Sequence, residues 1–267
     1  MTSTRLKKRL IPKLLVKHRR VGSDVRPVLV TTRQFREVLD VGDPVSQAKI
    51  YEAQLADELA VLNIDGTPIG KDELLLGLIE RLATETFMPL TVGGGVREVD
   101  DFALLLERGA DKVCINQLAF QRPELISEAA ARFGAQCVVV SIDFRTDAAG
   151  HALVHTGHAG VRENVDVVES AVRAAEAGAG EILLTDADRD GMGSGLNCRC
   201  ASAVAAAVSV PVILSGGCGL AEHFVEGFRE GCAEAVAAGT FFCFRDQNPM
   251  QTRAHIRNAG IPIRIET

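Results

Sequence analysis

A glycine-rich turn that occurs twice limits the possible folds of this sequence more than any other feature. The two copies are residues 90–96, LTVGGGV, and residues 213–219, ILSGGCG. In each copy an apolar run typical of a β-strand stops at the glycines, and an amphipathic run typical of a helix follows. Glycine lets the backbone turn sharply and approach a ligand, and a turn that begins a helix exposes unpaired N–H groups. Each copy is therefore predicted to bind a phosphate, and two copies suit a substrate with a phosphate at each end.

The repeat extends beyond the glycines, because at the offset of 122 residues that aligns Gly93 with Ser215, Phe102 corresponds to Phe224 and Gly109 to Gly231. Eight apolar segments alternate with eight helical segments along the chain, and the apolar segments are continuous, as in strands that are covered on both faces. This pattern predicts an α/β fold, a (β/α)8 TIM barrel with a two-fold half-barrel repeat, in a single domain spanning residues 1–267. A doubly wound open sheet is the alternative.

The predicted barrel strands are residues 9–16, 58–64, 90–92, 112–115, 137–143, 181–185, 212–214 and 233–238. Asp43 and Pro44 predict the start of the first helix, as N-cap and first helical residue. A long polar stretch, residues 18–42, precedes that helix. Connections of this length are usually functional, and residues 28–32 and 34–39 are predicted to form a hairpin within it.

Composition excludes several functional classes. The net charge of −6 argues against a general nucleic-acid-binding protein. The cysteines number seven, without a CxxC pair, which predicts reduced thiols and a cytoplasmic protein. No apolar run is long enough to span a membrane, and no spacing of ligating residues indicates a metal ion or another cofactor. Three histidines that follow the fifth strand are predicted to lie on a solvated loop: His151, His155 and His158.

Residues that end strands are candidate site residues, because active sites of such barrels lie at the C-terminal ends of the strands. Asp143 ends an apolar strand, where burial raises the pKa of a carboxyl toward the range useful for acid–base catalysis; the alternative is a cap. Asp190 is either a substrate contact or a turn residue. The other candidates for binding substrate or phosphate are Gly93, Gly94, Gly95, Asn116, Gly191, Ser215, Gly216, Gly217, Gly239 and Thr240.

Four strands begin with a charged residue, in alternating sign: Arg9, Glu58, Lys112 and Glu181. A charged ring is unusual here, since this mouth of a barrel is commonly apolar. The ring is either a salt-bridge network that closes the barrel or a gate on a passage along the barrel axis, and the residues favour neither interpretation.

Arranged in this way, the chain resembles the cyclase subunit of imidazole glycerol phosphate synthase, the HisF family. The resemblance covers residues 5–265, in segments that include RLIP (9–12), GDP (42–44), TVGGG (91–95), GADKV (109–113), VVVSID (138–143), GAGEILLT (178–185), DRDG (188–191) and SGG (215–217). It implies a barrel that receives ammonia through its core from a HisH-type glutaminase subunit docked at the N-terminal face. It also implies that Arg9, Glu58, Lys112 and Glu181 form the gate, that Asp143 is the general acid, that Asp190 contacts substrate, and that the glycine turns bind two phosphates.

The departures from the family concern the top of the barrel. Leu15 stands where the family has a second catalytic aspartate, and a leucine cannot transfer a proton. Asn63 replaces another aspartate, with Asp65 nearby, and Gln117 replaces a threonine of the phosphate site. Leucine at position 15 also resembles a HisF-like branch associated with sugar amidation. That branch pairs with a HisH-like glutaminase and a synthetase-like enzyme to install acetamidino groups on surface polysaccharide sugars.

The sequence therefore predicts an ammonia-using synthase subunit that works with a separate glutaminase on a phosphorylated or nucleotide-linked small molecule. Asp143 is its expected acid–base group. One alternative is the authentic cyclase of histidine biosynthesis, with Asp65 as a relocated acid–base group. The other is a non-catalytic barrel that regulates a glutaminase, against which the two phosphate turns argue.

Overall fold

Eight parallel strands close on themselves in the computed structural model, which describes residues 7–156, 161–244 and 247–264, without the side chains of 161–164. Each strand pairs with its neighbours in chain order, and the last pairs with the first. The predicted (β/α)8 barrel is confirmed, and the open-sheet alternative is wrong because both edges of the sheet are paired. The barrel strands are β1 (Arg9–Val21), β4 (Leu59–Asn63), β5 (Leu90–Gly93), β6 (Lys112–Ile115), β7 (Val138–Thr146), β10 (Glu181–Asp186), β11 (Val212–Ser215) and β12 (Ala235–Ala238).

Helices follow every barrel strand and cover the outside of the sheet. Asp43 begins the first of them as predicted, because its side chain accepts a hydrogen bond from the N–H of Ser46 at 2.7 Å and Pro44 occupies the first turn. The helices are α1 (Pro44–Ala53), α2 (Glu73–Glu85), α3 (Val99–Glu107), α4 (Gln117–Gln121), α5 (Glu124–Phe133), α6 (Val167–Glu176), α7 (Cys198–Ala207), α8 (Ala221–Arg229), α9 (Thr240–Phe244) and α10 (Pro249–Asn258).

The apolar core has two parts, one between sheet and helices and one inside the barrel. The inner part is a layer of small and medium side chains: Ile11, Ala60, Cys114, Val139, Leu183, Ile213, Ala235 and Ala237. Alternate residues of a strand face opposite sides, so the odd-numbered residues of β1 from 9 to 15 face the interior. From the N-terminal to the C-terminal mouth, these residues are Arg9, Ile11, Lys13 and Leu15, so charged and apolar side chains alternate inside the barrel.

The two glycine turns have the same backbone conformation. Gly94 and Gly216 both have a positive φ, 95° and 87°. A Cβ atom on Gly94 would lie 2.0 Å from the carbonyl oxygen of Asn63, and one on Gly216 would lie 2.5 Å from that of Asp186. These glycines are therefore required by contact between backbone segments, whether or not a ligand binds above them.

Two hairpins extend the barrel at its C-terminal mouth. The first is formed by β2 (Asp24–Arg33) and β3 (Glu37–Gly42), and β1 continues past its predicted end to pair with β2. The predicted second strand of this hairpin began too early, since Gln34 and Phe35 lie in the turn with positive φ values. The second hairpin, β8 (Ala152–His155) and β9 (Val161–Asp166), was not predicted. It follows the fifth barrel strand as the first hairpin follows the first, which extends the half-barrel symmetry.

No helix in the described ranges is both long and apolar enough to cross a membrane.

Candidate active site

A cavity of about 1110 Å³ occupies the C-terminal mouth of the barrel, and we call it the central cavity. Strand ends, the first glycine turn and both hairpins contribute to its wall. Polar and apolar groups alternate in it, as expected for a site that binds and orients a small molecule. Its lining includes Lys13, Leu15, Asn116, Ser141, Asp143 and Thr185.

Asp143 is the carboxylate that lines this cavity among the described residues. Its Oδ2 accepts a hydrogen bond from Nδ2 of Asn116 at 2.6 Å, and its Oδ1 lies 3.5 Å from the hydroxyl of Ser141. Burial raises the pKa of Asp143 to about 6, and Lys13 and Asn116 oppose that shift. Asp143 lines the cavity, so a ligand there can contact its carboxyl, although the side chain is partly buried by the protein. A carboxyl with a pKa near neutrality can both give and take a proton at physiological pH.

Leu15 has a structural partner that the sequence did not reveal. It forms an apolar cluster with Val28 and Val30 of the first hairpin, and Val38, Leu62 and Ile64 pack against that cluster. The leucine thus holds the hairpin down on the barrel mouth. Position 15 supplies an apolar contact in place of a titratable group.

Asp65, the alternative acid–base residue, lies outside the lining of the central cavity. Its Oδ2 accepts a hydrogen bond from the backbone N–H of His18 at 2.5 Å, its Oδ1 lies 3.3 Å from Nζ of Lys17, and Nδ1 of His18 lies 3.2 Å from Oδ2. Asn63 is similarly engaged, because its Nδ2 donates to Asp72, the N-cap of α2, at 2.9 Å. These contacts favour a structural role for both residues.

The second glycine turn encloses a smaller cavity, which we call the second-turn cavity. Residues 215–218 and 237–241 form most of its wall, and Lys13, Asp190 and Gly191 complete it. The predicted binding residues Ser215, Gly216, Gly217, Gly239 and Thr240 are therefore brought together. The side chain of Asp190 is buried and its Oδ2 accepts a hydrogen bond from the hydroxyl of Thr32 at 2.5 Å, which fastens the first hairpin to this loop.

The first glycine turn lies on the opposite side of the central cavity. Gly94 and Gly95 line the cavity together with Asn116 and Gln117. Gly93 does not line it, because it is the last residue of β5 and packs against Cys114 of the neighbouring strand. The structure therefore separates two candidate phosphate positions across one cavity.

His155 is a cavity residue, so the prediction of a solvated loop is wrong for it. It ends β8 and lines the central cavity, and its Nδ1 is buried without a hydrogen-bond partner in the described part of the chain. Burial, followed by the charge of Arg145, lowers the pKa of His155. A four-residue strand leaves too short a pattern to detect from sequence. His151 is exposed as predicted, and His158 lies outside the described residues.

The four charged residues at the N-terminal mouth form a closed ring, which we call the charged ring. Nη1 of Arg9 lies 2.8 Å from Glu58 and 2.9 Å from Glu181, and Nζ of Lys112 lies 2.9 Å from Glu58 and 3.1 Å from Glu181. Burial would raise the pKa of Glu58, but Lys112 and Arg9 hold it below its ordinary value. The four side chains therefore form one continuous ion-pair network across this mouth of the barrel.

Among the described residues, no group of three or more His, Cys, Asp or Glu side chains is arranged to hold a metal ion.

Two comparisons identify what the chain is similar to. A family profile described as "Histidine biosynthesis protein" matches residues 9–247. A protein of Prochlorococcus marinus (strain MIT 9313), named "Putative imidazole glycerol phosphate synthase subunit hisF2", is 48% identical over 263 residues. That similarity covers 98% of this chain and 99% of the relative, so it includes both mouths of the barrel and both hairpins.

Proposed function

Because the chain belongs to the histidine biosynthesis protein family and is HisF-like over its whole length, we propose that it is the ammonia-using synthase subunit of a two-subunit glutamine amidotransferase. A HisH-type glutaminase releases ammonia at the N-terminal mouth, and the barrel adds it to a phosphorylated or nucleotide-linked small molecule at the C-terminal mouth. The observation that carries the proposal is the charged ring, which lies on the same axis as Asp143.

The layer above the ring supports the passage of neutral ammonia in this proposal. It is apolar, and three of its members are alanines: Ala60, Ala235 and Ala237. An ammonium ion loses much more solvation energy than ammonia on entering such a layer, so the layer selects the neutral molecule. Neutral ammonia is also the nucleophile that forms a C–N bond.

Asp143 is the acid–base group of the proposed reaction. Ammonia forms a bond to an electrophilic carbon while the bond from that carbon to a leaving oxygen breaks. The protonated carboxyl of Asp143 gives its proton to that oxygen, and the resulting carboxylate takes a proton from the newly attached nitrogen. A pKa of about 6 leaves both forms populated near neutrality. Asn116 fixes the orientation of the carboxyl through its 2.6 Å hydrogen bond.

Leu15 supports a substrate that differs from that of histidine biosynthesis. A reaction that needs two carboxylates on opposite sides of the cavity loses one of them at this position, where the side chain is part of an apolar cluster. This favours an acetamidino-sugar pathway, or another pathway outside histidine biosynthesis, as the setting of the proposed amination.

Genetic complementation tests the substrate. In a strain that lacks the histidine-pathway cyclase, we expect this chain to give no growth without histidine, although it is produced as folded protein. The strain's own cyclase gene on the same plasmid is the control, and growth with this chain would favour the authentic cyclase. Replacing Leu15 by Asp supplies the second comparison, because formation of imidazole glycerol phosphate by that variant would identify position 15 as the residue that diverged.

Phe87 provides a test of the partner. It lies in the connection between α2 and β5 on the N-terminal face, and it is 91% exposed. An exposed aromatic side chain on the same face as the charged ring is suited to anchor a docked subunit. We expect Phe87→Ser to weaken binding of the glutaminase about 10- to 100-fold, measured by calorimetry with the purified subunits.

The control for this test is Phe244→Ser, because Phe244 is 54% exposed in α9 at the opposite mouth. The affinity of that variant should match that of the unchanged protein. Equal losses from both substitutions, or none from either, would contradict docking at the N-terminal face. A barrel that binds the glutaminase normally but forms no product from ammonium salts would favour the regulatory alternative.

A further inference from the structure

A lysine is buried on the barrel axis above the apolar layer. Lys13 faces the interior between Ile11 and Leu15 of β1 and is only 5% exposed. Its Nζ donates a hydrogen bond to the hydroxyl of Ser215 at 2.9 Å. Among the described side chains, no carboxylate lies within 4.0 Å of this amine. Its charge and that of Asp143 attract each other at longer range, so the ammonium group is buried without a directly bonded anion and the position requires an explanation.

The amine lies where the two cavities meet. Lys13 lines both the central cavity and the second-turn cavity, which makes its charge accessible to a ligand from either side. The carboxylates that line these cavities have other hydrogen-bond donors: Asp143 accepts from Asn116, and Asp190 accepts from Thr32. An ammonium group carries three donors, and only one of them is used by Ser215.

The lining of the second-turn cavity is short of positive charge. Lys13 is the one cation among its described lining residues, and Asp190 is the one carboxylate. The remaining lining atoms belong mainly to glycine, alanine and serine or threonine residues of the turns after β11 and β12. A phosphate dianion in this cavity would meet the repulsion of Asp190, and only Lys13 offers a charge to oppose it.

We propose that Lys13 binds the phosphate group of the substrate from inside the barrel, at the second glycine turn. The inference rests on the proposed function, because it assigns the cation that this function needs for a phosphorylated substrate. In the ligand-free protein the ammonium group is held ready by Ser215, and in the complex the phosphate oxygens accept from its two other donors. Lys13 is thus a binding residue that determines which end of the substrate enters this side of the cavity.

Phosphate titration tests the inference with inorganic phosphate as the probe. The unchanged protein should bind phosphate at two positions, observed by 31P NMR and calorimetry. Lys13→Met keeps the aliphatic stem and removes the charge, and it should weaken one position about 10- to 100-fold while leaving the other unchanged. Lys49→Met is the control, since Lys49 is exposed and pairs with Glu85 on the outside of the barrel. Its phosphate affinity should equal that of the unchanged protein.

Stability supplies a second readout that separates binding from packing. At pH 4, where the carboxyl of Asp143 is protonated, removing the buried charge should leave the ligand-free Lys13→Met variant at least as resistant to urea as the unchanged protein, although it binds phosphate less well at neutral pH. A purely structural lysine would produce the opposite result, with lower stability and unchanged affinity. Lys13→Gln, which retains a donor without the charge, gives the same comparison if the Met variant does not fold.

The outcomes distinguish the inference from the proposed function. If the unchanged protein binds phosphate at two positions and Lys13→Met binds equally well at both, the role of Lys13 is wrong and the proposed function stands. If the unchanged protein binds no phosphate at either glycine turn, a phosphorylated substrate and the role of Lys13 are both overturned.

Discussion

Asp143→Asn is expected to lower the rate of product formation by about 10²- to 10⁴-fold, because the amide can neither give nor take the proton that the reaction moves. The measurement uses ammonium salts in place of glutamine and the glutaminase, so that only the barrel is tested. Asn and Asp have the same shape, so the hydrogen bond from Asn116 is the main contact that changes. The substitution therefore reports on proton transfer more than on packing.

Asp65→Asn is the matched comparison, since it makes the same chemical change at a carboxyl outside the central cavity. We expect it to leave the rate within a few-fold of the unchanged protein. A loss in Asp65→Asn as large as that in Asp143→Asn would favour the relocated acid of the authentic cyclase. A fully active Asp143→Asn protein would remove the acid–base role from the proposal.

Asp143→Asn should increase the free energy of unfolding at alkaline pH, although it lowers the activity. Burial raises the pKa of Asp143 from 3.8 to about 6, so the folded state holds this proton more tightly than the unfolded state. The resulting stabilisation is complete below about pH 4 and is lost as the pH rises to about 6. At pH 8 the folded protein must keep a buried carboxylate, which Asp143→Asn does not contain. Urea denaturation should find the variant more stable at pH 8, and the difference should be smaller at pH 4.

Arg9→Met is expected to reduce the free energy of unfolding by about 3–5 kcal/mol, because it leaves Glu58 and Glu181 buried in the charged ring with Lys112 as their one remaining ring cation. Chemical denaturation measures the loss. Arg173→Met is the control, because Arg173 pairs with Glu169 on the surface of α6 with both side chains more than half exposed. That pair should contribute less than about 1 kcal/mol.

Comparable losses from the two arginine substitutions would mean that the ring is no more than a surface ion-pair network. A large loss from Arg9→Met alone supports a buried network whose charges depend on one another. The expected difference follows from burial, since Arg9 and Glu58 are almost fully enclosed.

The parts of the molecule that the sequence predicted are those with local or periodic signals. Continuous apolar runs located the barrel strands, and Asp43 with Pro44 located the start of α1. Charges at the start of four strands predicted residues that share one mouth, since parallel barrel strands all begin there. The structure brings those four together within hydrogen-bond distance.

The parts that the sequence did not predict depend on contacts between distant segments. The sequence shows only that Leu15 lacks the acid of the family, whereas the structure shows that it packs against Val28 and Val30 of the first hairpin. Lys13 stood in an apolar strand without an assigned role, although its odd position placed it on the same side as Arg9 and Ile11. The sequence suggests that the glycines serve to bind phosphate, whereas the structure shows that neighbouring carbonyl oxygens already leave no room for a Cβ atom on Gly94 and Gly216.

The hydrogen bond between Thr32 and Asp190 joins two segments that lie 158 residues apart in the chain. Oδ2 of Asp190 accepts from the hydroxyl of Thr32, and a carboxylate oxygen can accept from a second donor as well. Thr32 also lines the central cavity, so this one bond sets where part of the cavity wall stands relative to the loop after β10. A change at either residue therefore alters the shape of the chamber without touching a strand of the barrel.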